Sequence, residues 1–175
     1  VKNFLINENI ITKEIHNNYN LVFNGLRLRN CIKNYKKKKN FLIIPEVYNS
    51  DNFEIYCKKF ENYFNIILEI LTISLNNYHE VNYDKKYWKI LISPWLINFL
   101  QIFFDKWINF KNINNNIKIH HMHSIVDVDD DIRSKFTPVN SSDLVDLSNN
   151  ISWNLYINEI IASEIFKDIN YYRLN

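Results

Sequence analysis

The sequence predicts a helix-rich α/β fold on three observations. Apolar runs of strand length stand at 4–6, 20–23 and 41–44. Apolar residues then recur every three or four positions from Phe53 to Leu75, and a second helical stretch reaches about Phe110, which together make a hairpin over about 52–110. Beyond it the pattern returns to strand and helix.

Phe4-Leu5-Ile6 and Asn20 to Phe23 are short apolar strands, the second ending near Gly25. Leu26 to Tyr35 suits a short helix, and Lys36 to Lys39 a solvated connection. Phe41 to Ile44 is continuously apolar and stops at Pro45, as expected of a strand buried on both faces of a parallel sheet. Asn52 is placed to cap the first long helix, which ends at a turn around Asn76 to His79 and Asn82. The second starts near Asp84 and contains Pro94, which predicts a kink or a break near Ser93. Asn112 to Asn116 reads as a turn, 117–125 as a strand and Asp127 to Asp131 as an acidic loop. Ser141 or Ser142 caps a short helix, and the last helix, about 152–166, carries Trp153, Tyr156/Ile157, Ile160/Ile161 and Ile165 on one stripe.

The 175 residues suffice for one domain, 1–175. A single Gly excludes phosphate-cradling loops of the P-loop or dinucleotide-binding kind. The 30 Asn, with many Ile and Lys, reflect A/T-rich codons and a low-GC genome. A net charge of +2 is too small for electrostatics alone to dictate a nucleic-acid or membrane partner, and no nucleic-acid partner is expected. Cys31 and Cys57 read as reduced thiols of a cytoplasmic protein. The stretch 90–104 is the most apolar, yet too short to span a bilayer. The start without Met and the end directly after a helical pattern suggest part of a longer polypeptide.

Some motifs have a plain structural reading beside a chemical one. His120, His121 and His123 include two imidazoles on one strand face, as a zinc site needs, or form a polar strand end facing solvent. Asp127-Val128-Asp129 has the form that holds Mg²⁺ or Mn²⁺ against a diphosphate, or is a solvated loop. Tyr87, Trp88, Trp95 and Trp107 crowd one helix around Pro94; most of them must be core, and such a kinked aromatic helix also suits one wall of a pocket.

These same residues carry a family resemblance. Leu75-Asn76-Asn77-Tyr78-His79, Tyr87-Trp88, Ser93-Pro94-Trp95-Leu96 and Asp105-Lys106 resemble the "LN-x-x-H … YW-x-x-x-x-GPWL … DR" signature of a family of large transferases. Those transferases are encoded in bacterial O-antigen and surface-polysaccharide gene clusters. Thr137-Pro138, Asp143 and Trp153-Asn154 to Ile157 resemble its "P-x-D … WN-x-x-I" stretch. The chain departs from the family at Arg27 to Arg29, Glu46 to Tyr48, Ser93 (for Gly) and Lys106 (for Arg).

The resemblance implies a GT-B-like glycosyltransferase with Rossmann-like halves, of which this chain is the N-terminal, acceptor-side half. No cofactor is expected in this segment. The nucleotide-sugar donor would bind a C-terminal domain of the same polypeptide, beyond these residues. His79 and Asp105 become candidate general bases, and Tyr87, Trp88, Trp95, Lys106, Trp153 and Asn154 candidate pocket residues. The partner would be a sugar or lipid-linked sugar acceptor, which places the protein in the cytoplasm or at the inner face of the cytoplasmic membrane. The alternatives are a non-catalytic helical module for protein interaction or membrane-surface association, and a metal-dependent glycosyltransferase using Asp127 and Asp129.

Overall fold

The structure, a computed structural model, describes residues 2–6, 19–24, 41–44, 47, 52–124, 137–138, 140–166 and 169–173, and among these stand five short parallel strands and four helices. The strands are β1 (Lys2–Ile6), β2 (Tyr19–Asn24), β3 (Phe41–Ile44), β4 (His121–Ser124) and β5 (Asn170–Arg173). The helices are α1 (Phe53–His79), α2 (Lys85–Asn116), α3 (Ser141–Ser148) and α4 (Ile151–Ile165). The sheet has the order β3-β2-β1-β4-β5. Its register places Leu5 between Val22 and Met122, both fully buried.

The chain divides into two compact units. Unit 1 comprises residues 1–47 and 106–175 and contains the sheet, α3, α4 and the end of α2. There α4 lies against β4 and α3 against α4. Its core joins Val22 and Met122 to Ile113, Trp153, Leu155 and Ala162. Burying an aliphatic or aromatic side chain of this kind contributes about 1.5–3 kcal/mol relative to leaving it in water. Unit 2, residues 48–105, is α1 with the first part of α2. Its seam is Phe64, Leu68 and Leu96, with Ile67, Leu71, Ile92, Trp95 and Leu100 packed around them.

The Rossmann-like α/β expectation is corrected to a helix-rich chain. The two longest elements, at 27 and 32 residues, dwarf strands of four to six. Among the described residues the helices come in consecutive pairs, α1–α2 and then α3–α4, rather than singly between successive strands. A Rossmann-like winding needs strand and helix in alternation, and α1–α2 instead forms most of a unit with no strand among its described residues.

Individual elements differ in instructive ways. The three N-terminal strands stand where the apolar runs place them, but β3 is a sheet edge and Leu42 is 43% exposed, so it is not buried on both faces. The helix α1 continues through the expected turn at 76–79. The helix α2 runs unbroken past Pro94, which excludes the break at Ser93. It also absorbs the expected turn at Asn112 to Asn116, where Asn116 Nδ2 donates to the Asn112 carbonyl at 2.7 Å. The strand foreseen at 117–125 is shortened to β4, and His121 on it is buried rather than facing solvent. The helix 26–35, Lys36 to Lys39, Cys31, Arg27 to Arg29, Glu46, Tyr48 and Asp127 to Asp131 lie outside the described residues.

Candidate functional site

With one Gly in the chain, helix ends and turns fall to Asn and Asp, whose short side chains accept from backbone N–H groups. Asn140 caps α3 by accepting from Asp143 N, and Asn150 caps α4 by accepting from Trp153 N, each at 3.0 Å. Asp84 Oδ1 likewise accepts from Tyr87 N at 2.8 Å, opening α2. At the end of α1, Glu80 takes the left-handed conformation (φ 54°, ψ 39°) in which glycine is usually found. It is the only positive-φ non-glycine among the described residues.

Asn76 organises the turn that follows. Its carbonyl accepts from the backbone N–H groups of Glu80 and Val81. Its Nδ2 donates to the Tyr83 carbonyl at 2.8 Å, and its Oδ1 accepts from Tyr83 N at 3.1 Å and from Trp88 Nε1 at 2.8 Å. The indole of Trp88 is thus buried with its polar handle satisfied. The exposed His79 ring stacks on that indole, 5.9 Å between centroids and 25° between planes. Tyr78, 82% exposed, meets His79 edge-on. Tyr83 and Tyr87 stack at 4.1 Å and 29°, both more than two-fifths exposed.

The structure therefore brings together three candidates, His79, Tyr87 and Trp88, with Asn76 and Tyr83, which sequence reasoning had not singled out as site residues. Their signal was present in the "LN" preceding His79 and in Tyr83 four positions before Tyr87. Asp105 is not part of this cluster. It lies roughly five turns beyond Trp88 in one unbroken helix, about 25 Å along the axis at the usual rise. Trp95 stacks on Phe99 at 4.8 Å, and its Nε1 and the neighbouring Ser93 Oγ are buried with no hydrogen-bond partner among the described residues.

The remaining candidates belong to unit 1. Lys106 Nζ donates to Asn158 Oδ1 at 3.0 Å. Trp153 is fully buried, and Asn154 Nδ2 donates to the carbonyls of Ser148 and Asn150, closing the junction between α3 and α4. Unit 1 also holds an open cleft of about 450 Å³, bounded by 114–119, Ile165 and Phe166, which includes none of the expected pocket residues. No group of His, Cys, Asp or Glu able to hold a metal ion occurs among the described residues, and no helix among them is long and apolar enough to cross a membrane.

Comparison with known proteins supplies the class: a model for a transferase family matches residues 10–174. The chain belongs to that family, the LIC12162 family transferases. No curated protein and no solved structure matches it significantly. The signature residues Asn76, His79, Tyr87 and Trp88 gather at the hairpin turn, in direct contact or one ring apart.

Proposed function

We propose that this transferase chain handles the acceptor in a glycosyl transfer of surface-polysaccharide or O-antigen assembly, and that the acceptor sugar stands at the hairpin turn. The observation that carries the reading is the exposed Tyr83–Tyr87 stack beside an exposed His79, all held by Asn76 and Trp88. A pyranose ring has an apolar face of C–H groups that lies flat on an aromatic surface, while its hydroxyls need polar neighbours. An imidazole in reach of one such hydroxyl takes its proton as the oxygen bonds to the donor's anomeric carbon, and the nucleoside diphosphate departs with the electrons of the broken bond. A C-terminal domain of the same polypeptide would bind that nucleotide-sugar donor. A lipid-linked acceptor would place the reaction at the inner face of the cytoplasmic membrane.

His79 and Asp105 are too far apart to serve one proton transfer, and His79 has the aromatic platform next to it. The test is sugar transfer by the full-length polypeptide carrying H79Q or D105N. The proposal expects H79Q to lose about a hundredfold or more in kcat, with D105N near the wild-type rate. A wild-type rate in H79Q overturns it.

A further inference from the structure

An amide side chain is lopsided: its oxygen only accepts and its nitrogen only donates. Around Asn76 the neighbours fix which end points where. Trp88 Nε1 and Tyr83 N both offer hydrogens, at 2.8 and 3.1 Å from Oδ1, and the Tyr83 carbonyl stands 2.8 Å from Nδ2. Turned over, the amide would set its nitrogen against two N–H groups and its oxygen against a carbonyl. The two ends lead to different parts of the site. Through Oδ1 the amide holds the indole on which the His79 imidazole is stacked. Tyr87 and Tyr83 meet that indole edge-on, at 5.2 and 6.1 Å, which confines the ring, and Asn76 tethers its polar edge. Through Nδ2, together with Oδ1, it grips both backbone groups of Tyr83, whose ring stacks on Tyr87.

We infer that Asn76 is the positioning residue of the acceptor site, holding the proton acceptor with one end of its amide and the sugar platform with the other. This rests on the reading of the turn as the place of the acceptor sugar. Asn76 touches no reacting atom and acts through Trp88 and Tyr83. An imidazole that takes a proton must keep its nitrogen in line with one hydroxyl, and a stack that carries a pyranose must hold its angle. One side chain ties both to the end of α1, where its own carbonyl also accepts from the N–H groups of Glu80 and Val81. Aspartate in its place has the same shape but no donor. It keeps the bonds from Trp88 Nε1 and Tyr83 N and sets an oxygen against the Tyr83 carbonyl, so it loosens the platform and spares the indole. Alanine releases both.

The test is NMR of the chain and of its N76D and N76A variants, alone and titrated with methyl hexopyranosides. In N76D the indole N–H of Trp88 should stay hydrogen-bonded and the His79 ring signals should keep their wild-type positions, while affinity for the pyranoside falls about fivefold. In N76A both sets of signals should move, and the affinity should fall at least as far. Binding by N76D as tight as wild type overturns the inference, as does loss of the Trp88 bond or of the His79 signals in N76D. If N76A loses its helical circular dichroism, N76D alone decides both points. A wild type whose turn stays silent to the pyranosides removes the acceptor reading and the inference together. A wild-type response with an unaltered N76D removes the inference alone.

Discussion

Among the described residues, unit 1 buries more of its large apolar side chains than unit 2, although Leu42, Val145, Ile151 and Ile160 of unit 1 are exposed. Around β4 and α4, Val22, Ile113, Met122, Trp153 and Ala162 are almost wholly removed from water. The hairpin seals only Phe64, Leu68, Trp88 and Leu96 and leaves isoleucines in solvent along both helices. A sheet covered by helices offers several buried surfaces, whereas a pair of helices offers one. The contrast separates a scaffold, whose aromatic residues are packing, from an element whose aromatic residues stay available for contact. Trp153 and Trp88 show it: both indoles are buried, but only Trp88 has an exposed imidazole laid on it.

Substitutions should trace that contrast, beginning with the scaffold. Trp153→Ala, which empties a fully buried indole site, should cost about 4 kcal/mol in denaturant unfolding of unit 1. Asn76→Ala removes partners from Trp88 Nε1 and from both backbone groups of Tyr83, and should cost about 2 kcal/mol in unfolding of unit 2. Glu80→Gly relieves a left-handed side-chain residue and should stabilise unit 2 by about 1 kcal/mol, read as a raised melting temperature. Ile70→Ser on the exposed ridge should move stability by less than about 0.5 kcal/mol. A large loss at Ile70, comparable with that at Trp153, would show that the hairpin buries this ridge and would erase the distinction.

The sequence made some of this legible for clear physical reasons. Three- and four-residue spacing from Phe53 to Leu75 reports a one-sided seam, and α1 follows it. The compact apolar runs at 4–6, 20–23 and 41–44 mark β1, β2 and β3. The Rossmann-like expectation came from the family resemblance, and neither it nor the periodicity of single elements says how helices are distributed among strands. The end of α2 was misplaced because Asn is read as a turn residue, yet here its side chain bonds back to a carbonyl one turn earlier and extends the helix. Nothing in Asn170-Tyr171-Tyr172-Arg173 alternates, and β5 gains its place from pairing with β4. Of the site, the motif residues His79, Tyr87 and Trp88 could be named in advance. Their meeting depended on the side-chain bonds of Asn76, which sequence spacing does not reveal.

The account turns on the hairpin turn as the place where sugar is held. Its most direct measurement is an NMR titration of the protein with a series of methyl hexopyranosides, following the side-chain amide of Asn76, the indole N–H of Trp88 and the ring of His79. Shifts concentrated at these signals and at Tyr83 and Tyr87, with Trp153 and the rest of unit 1 unmoved, are the predicted result. Shifts confined to unit 1, with the turn silent, would contradict it.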